Sequence, residues 1–254
     1  MRRLIYAMLL LCCATSCMTN KELAYMQNDR YNTTTPTSVA NSSKPYKLQP
    51  NDVLSVKVQS EQPELSNLFN IVDPSSSMAF GGPSALYMTG YNIDELGNIT
   101  LPTIGKLKVS GLTTSETQDL IQQNLNKYLV GTTVIVKLLS FKVSVLGGVR
   151  NPGYYYVYNE QANLLEGLSL AGDLTQAGDR KRVKLIRQTT GGSEVIMLDL
   201  TDPNLVQSPY YYLMPNDVIY VDPLRTSLKR DNLVVVTALL GIVSTGVLLL
   251  NYFR

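Results

Sequence analysis

The chain is 254 residues long, with 22 basic and 20 acidic residues, 16 tyrosines, three cysteines, and neither histidine nor tryptophan. Without histidine, Ser-His-Asp and Cys-His catalysis and His-ligated metal sites are excluded. Two of the basic residues, Arg2 and Arg3, lie in the leader, and the remainder balances 20 basic against 20 acidic residues, so the electrostatic footprint of a nucleic-acid binder is absent.

Arg2 and Arg3 form a short basic region, Leu4 to Leu11 an apolar run, and Ala14-Thr15-Ser16 a small-residue stretch before Cys17. The apolar run is too short to span a bilayer, so residues 1–16 read as a secretory signal peptide. Small residues directly before a cysteine resemble a bacterial lipobox, whose cysteine becomes the acylated first residue of the mature protein. Cys17 is therefore the expected lipidation site. Cys12 and Cys13 lack small residues at the three preceding positions. All three cysteines fall in this segment, so the mature domains have no disulfide although their compartment would permit one. A plain signal peptide with incidental cysteines is the alternative.

Residues 17–45 read as a flexible tether, because Asn28 to Ser43 is rich in Thr, Ser, Asn and Pro and carries almost nothing apolar. An internal echo follows. Residues 46–56 (Tyr-Lys-Leu-Gln-Pro-Asn-Asp-Val-Leu-Ser-Val) and 211–221 (Tyr-Tyr-Leu-Met-Pro-Asn-Asp-Val-Ile-Tyr-Val) are identical at seven of eleven positions. Each reads as a turn feeding a strand, at Pro50-Asn51-Asp52 and at Pro215-Asn216-Asp217, with Leu54, Val56 and Val58 alternating along the first strand. Either Asp can bond backbone N–H groups in its turn, which is reason enough for an Asp there without a catalytic role.

Pro74 to Gly90, with its Ser and Gly-Pro clusters, reads as a long loop. Ile93-Asp94, Gly97-Asn98 and Ile99 to Pro102 suggest a hairpin, and Lys106 to Val109 a further short strand. Thr113-Thr114-Ser115-Glu116 has the form of a capping box. It opens a helix with Leu120, Ile121, Leu125, Tyr128 and Leu129 on one face, ended by Gly131. A strand over Val134 to Leu138 completes a small α+β unit.

The next unit opens with a strand over Val143 to Val149, turns at Asn151-Pro152-Gly153 and returns through Tyr154 to Tyr158. Asn163 caps a short helix with Leu164, Leu165 and Leu168 inward, stopped at Ala171-Gly172-Asp173. Val183 to Arg187 and Val195 to Leu200 read as strands. A small sheet crossed by one helix is the outline of a β-grasp domain. Its basic run of Arg180, Lys181, Arg182, Lys184 and Arg187 is either a solvated strand edge guarded by charge or a contact for an anionic polymer.

After a linker over 224–232, Leu233 to Tyr252 carries no charge. A helix of about 20 residues spans roughly 30 Å, the hydrocarbon thickness of a bilayer, which makes 233–252 an expected transmembrane helix. At about 100° per residue, Thr237, Gly241, Ser244 and Asn251 share one face and Val235, Leu239, Ile242 and Leu250 the other. The small, weakly polar stripe suits a water-facing lumen or close helix–helix contact, and it also occurs in lone anchors.

Several of these segments carry a family resemblance. Residues 46–54, 97–105 (Gly-Asn-Ile-Thr-Leu-Pro-Thr-Ile-Gly) and 111–116 (Gly-Leu-Thr-Thr-Ser-Glu) resemble the polysaccharide-export domain of outer-membrane polysaccharide export lipoproteins, the Wza-like OPX family. Residues 145–154 (Val-Leu-Gly-Gly-Val-Arg-Asn-Pro-Gly-Tyr), 164–172 and 211–221 are similar to the soluble-ligand-binding β-grasp (SLBB) domain that follows it there. Residues 17–27 resemble the mature start of such lipoproteins.

The resemblance implies an α+β chain with a polysaccharide-export domain over 46–139 and one SLBB domain over 140–223. It also implies a homo-oligomeric ring whose terminal helices form an α-helical barrel in the outer membrane. The periplasmic domains would lie beneath, a Wzc-like inner-membrane polysaccharide co-polymerase would dock below, and capsular polysaccharide or exopolysaccharide would pass through, with no cofactor. One SLBB domain rather than two implies a shorter periplasmic reach. Two other readings stay open. One is a periplasmic glycan- or partner-binding scaffold lipoprotein that forms no conduit. The other is a polysaccharide-acting enzyme using paired carboxylates such as Asp94 and Glu95.

Overall fold

The computed structural model describes residues 23–27, 35–41, 43–61, 64, 68–70, 90–189 and 191–224, with 238, 240–242, 244–246 and 249 nearer the C-terminus. The long loop expected over 74–90 lies almost wholly outside these residues, as does Cys17.

Strand β1 (Val53–Ser60) alternates as its sequence requires, with Leu54, Val56 and Val58 buried. It is the middle of a three-stranded antiparallel sheet, between β2 (Tyr91–Asn92) and β5 (Thr132–Leu138). Val56 faces Val136 and Val58 faces Val134 across the β1–β5 ladder. Strands β3 (Asn98–Leu101) and β4 (Gly105–Lys108) form a separate hairpin. This differs from the expected hairpin around Gly97-Asn98. A tight turn does form there, with the Asn98 carbonyl accepting from the Asp94 N–H at 2.9 Å, but β2 pairs with β1 and β3 pairs forward with β4.

Helix α1 (Thr114–Leu125) starts on a complete capping box: Thr113 accepts from the Glu116 N–H and Glu116 accepts from the Thr113 N–H. Its buried residues Ile121 and Leu125 join Leu54, Ile99 and Val134 in the first core. The helix stops at Leu125, six residues before the glycine expected to end it. Asn126 to Tyr128 turn away, and Tyr128 is 55% exposed instead of inward.

The second unit is a five-stranded mixed sheet in the order β7-β6-β10-β8-β9, built from β6 (Lys142–Gly147), β7 (Gly153–Tyr156), β8 (Gly178–Thr189), β9 (Gly192–Leu198) and β10 (Val218–Pro223). The last strand, β10, enters the middle, parallel to β6 and antiparallel to β8. Helix α2 (Leu164–Leu170), capped by Asn163, buries Leu164 and Leu168 in a core with Val143, Val145, Leu185, Ile219 and Val221. Each such aliphatic side chain contributes about 1.5–3 kcal/mol on burial. This is the β-grasp outline, and the whole is an α+β fold.

Three further expectations need correction. The basic run does not guard a sheet edge, because β8 is an interior strand hydrogen-bonded on both sides; β7 and β9 are the edges. The stretch read as a tether is not free along its length. Met26 and Gln27 donate backbone N–H groups to the carbonyls of Leu200 and Thr201 at 2.9 and 2.8 Å, while Tyr25 donates to Asp173 and lies beneath the Arg180 guanidinium. Last, the transmembrane helix expected over 233–252 is not found among the described residues. Residues 238, 240–242, 244–246 and 249 are helical, but no described helix is long and apolar enough to cross a membrane. The other residues of 233–252 lie outside the described residues.

Insertion of β10 depends on close backbone approach at Gly147, which has φ +87 and whose ideal Cβ would lie 2.1 Å from the Val221 carbonyl oxygen. Gly147→Ala must therefore separate β6 from β10 as well as adopt a left-handed backbone. It should destabilise the second unit by on the order of 1–3 kcal/mol or more, read as a lower urea midpoint.

Candidate functional site

The two Pro-Asn-Asp turns have one local construction. Asn51 and Asn216 hold left-handed backbone conformations, with φ of 72 and 68, which Asn tolerates better than most residues. The carboxylates behind them turn inward: Asp52 accepts from the Gln49 N–H at 2.9 Å, and Asp217 from the Met214 N–H at 2.7 Å. Pro50 and Pro215 set the approach, and both Asp side chains are buried.

Their remaining partners differ. Asp52 meets hydroxyls: Tyr46 donates to Oδ2 at 2.8 Å and Ser140 to Oδ1 at 3.2 Å, while Ser140 Oγ itself accepts from the Val53 N–H. Burial pushes the Asp52 carboxyl up, against the pull of these donors, and burial likewise raises the Tyr46 phenol, which stays a donor. Asp217 instead receives a guanidinium in a two-pronged grip, from Arg187 Nε to Oδ1 at 2.9 Å and Nη2 to Oδ2 at 2.7 Å. Burial raises the Asp217 carboxyl and the Arg187 charge opposes it.

Arg187 reaches further. Its Nη2 also donates to the Tyr212 carbonyl at 3.0 Å, and its guanidinium carbon lies 5.8 Å from the centre of the Tyr210 ring. These tyrosines form one side of a cleft of about 560 Å³ between the two units. Tyr46 stands on the other side, and Ser43, Lys44, Thr113, Thr114, Glu160, Gln161 and Glu194 complete the polar lining. Asp52 thus holds the Tyr46 side chain, and Asp217 acts through Arg187 on the Tyr212 backbone and the Tyr210 ring, all beside the same cavity.

The other residues singled out in sequence take separate places. Of the basic run, Arg182 and Lys184 both pair with Asp222, at 3.0 and 2.6 Å, and Arg180 covers Tyr25. Four of its five charges therefore have a partner in the fold, and Lys181 is exposed. Asp94 caps its own turn, accepting from the Asn98 N–H at 2.7 Å, and that bond holds its carboxyl below the ordinary range, opposite to what a general acid requires. Gly241 and Ser244 are helical and exposed, and Ser244 donates its hydroxyl to the Gly241 carbonyl at 2.9 Å. Thr237, Asn251 and Cys17 lie outside the described residues.

The cleft itself escaped the sequence reading. The echo carries half a signal: its first tyrosine, Tyr46, lines the cleft, whereas the matching Tyr211 does not and its neighbours Tyr210 and Tyr212 do.

Comparison with known proteins places these units. Residues 40–139 match a family model described as polysaccharide biosynthesis/export protein, and residues 142–198 match the SLBB domain. The chain is 30% identical over 169 residues to the EPS I polysaccharide export outer membrane protein EpsA of Ralstonia nicotianae, covering 63% of this chain and 44% of that one. It is 27% identical over 201 residues to the EpsA protein of Ralstonia solanacearum, covering 76% and 50%. A 71-residue stretch is 38% identical to the polysialic acid transport protein KpsD of Escherichia coli, covering 25% and 12%. The chain spans at most about half the length of these relatives.

Two predictions test the turns. Arg187→Met leaves Asp217 buried without its cation and should cost about 3–5 kcal/mol in chemical unfolding. The second concerns pH. Because the folded-state pKa of Asp52 is raised, its contribution is full below the ordinary Asp value of about 3.9 and is lost as pH rises through the raised value. Unfolding curves against pH should therefore show wild type losing stability relative to Asp52→Asn across that interval, and parallel curves would refute the assignment.

Proposed function

The chain belongs to the family of outer-membrane polysaccharide export proteins, and from that premise we propose that it is a lipid-anchored subunit of a conduit for capsular polysaccharide or exopolysaccharide. Acylation at Cys17 attaches it to the outer membrane. Its polysaccharide-export and SLBB units stack as rings in the periplasm, and residues 233–252 associate around a pore. An inner-membrane polysaccharide co-polymerase delivers polymer from below. The chain contributes binding and shape, and no catalytic step.

The observation that carries this reading is the order of parts. An export domain, an SLBB domain and an uncharged 20-residue segment follow a lipobox-like cysteine, so both ends of a compact body are directed to one membrane. A second anchor would be partly redundant for tethering alone. A closed ring is the assembly that turns such a body into a passage. The Thr237, Gly241, Ser244 and Asn251 stripe supplies small residues for helix contact or a lumen face.

Purified protein should run far above its 28.1 kDa monomer mass. Removing 231–254 should abolish surface polymer while leaving both cores folded, since they lie before residue 224. Cys17→Ser should lose fatty-acid label. A monodisperse monomer by light scattering at membrane-like densities, with surface polymer intact after the deletion, would favour a scaffold without a conduit.

A further inference from the structure

We propose that the cleft between the two units is a subsite for a short neutral or amino-bearing stretch of glycan. The proposal rests on the export reading, which leaves open what kind of sugar the chain carries.

Three features point there. First, the cleft's size of about 560 Å³ falls among small-molecule pockets, roughly 300–1,000 Å³, and suits a few sugar rings rather than a folded partner. Second, its tyrosines are positioned by buried groups before any ligand arrives. Asp52 holds the Tyr46 hydroxyl, while Arg187, itself gripped by Asp217, holds the Tyr212 carbonyl and lies against the Tyr210 ring. The Tyr46 and Tyr210 rings held this way lose little freedom on binding, which lowers the cost of association. The C–H face of a pyranose is apolar and matches an aromatic face, while its edge presents hydroxyls in need of partners. Gln161, Glu160, which accepts from the Thr114 hydroxyl, and Thr113, whose oxygen caps α1, lie around the same cavity and can take them up.

Third, the charge balance selects among sugars. The Arg187 charge is cancelled by Asp217, which leaves Lys44 against Glu160 and Glu194 among the charged lining residues. That excess of one carboxylate disfavours uronic acids and phosphorylated units. It accepts neutral rings, and it favours an ammonium that can also lie over a tyrosine face. The basic run, which would otherwise suggest an anionic polymer, has four of its five charges engaged within the fold.

The test titrates full-length protein in detergent with three β-1,4-linked tetrasaccharides of glucose, glucosamine and glucuronic acid, read by saturation-transfer NMR. Expected are binding of the glucose and glucosamine oligomers and at least tenfold weaker binding of the glucuronate. Tyr212→Ala, which keeps the carbonyl that Arg187 uses, should weaken the glucose oligomer at least tenfold. Glu194→Gln, on an exposed edge strand away from both cores, should narrow the gap between the glucosamine and glucuronate oligomers severalfold.

Binding of none of the three, tighter binding of the glucuronate, or no change in either variant would overturn the subsite. So would protection of Glu160→Cys from a maleimide in the assembled protein without sugar, because a neighbouring copy would then fill the cleft. Surface polymer after deletion of 231–254 is scored in parallel. Loss of polymer with no oligosaccharide binding sinks the subsite and spares the conduit reading, whereas retained polymer sinks the conduit reading.

Discussion

Arg187 gripping Asp217 is the interaction on which most of the second unit and one side of the cleft depend. Asp217 immediately precedes β10 and Arg187 lies on β8 one residue beyond Ile186, which faces Val218. The pair therefore occupies the next cross-strand position of the ladder that brings the C-terminal strand into the middle of the sheet. Withdrawing two charges from water is costly, and hydrophobic replacements are often no less stable, so its presence calls for a reason other than stability. Here one guanidinium meets the turn carboxylate, the Tyr212 carbonyl and the Tyr210 ring at once. A hydrophobic pair could fill that space but could not fix all three.

The first unit solves the same local problem without a cation. Asp52 is met by donors alone, and one of them, Ser140, lies beyond the end of β5. Its hydroxyl is shared between Asp52 and the Val53 N–H, and the Leu139 N–H bonds the Val53 carbonyl at 2.8 Å. Leu138 packs against both cores. The turn that starts β1 is thus also the point where the two units join, and the short connection from β5 to β6 leaves little slack. A cleft whose sides come from two units keeps its width only if that joint is stiff. In the ring assembly proposed above, the same joint would fix the stagger between rings.

The local elements were legible because their signals are local. Thr113 and Glu116 satisfy each other's amides within one turn of chain, and Asn163 does so for α2, so both helix starts follow from a few adjacent residues. Leu54, Val56 and Val58 alternate because a half-buried strand requires it. The misreadings have a common origin. Five basic residues in eight positions look solvated until it is seen that β10 lies on one side of β8 and β9 on the other, with Asp217 and Asp222 brought in to meet them. Residues 17–45 look like free tether until Tyr25, ahead of the apolar-poor stretch, finds Asp173, 148 positions away. The cleft was hidden for the same reason, since Tyr46 and Tyr212 are brought together by the fold and not by proximity in the chain.

What the sequence by itself determined was the inventory and its order: a basic then apolar start with small residues before Cys17, two α+β units each bounded by a Pro-Asn-Asp turn, and an uncharged terminal segment. The absence of histidine and of cysteine beyond Cys17 also removed whole classes of chemistry. These follow from composition and from backbone preferences that act over a few residues. Tertiary structure decided which charges are partnered, which strand lies at an edge, and what lines the cleft. Burial is a property of neighbours distant in the chain: Asp52 and Asp217 share the sequence Pro-Asn-Asp-Val, yet one meets a serine 88 residues away and the other an arginine 30 residues away.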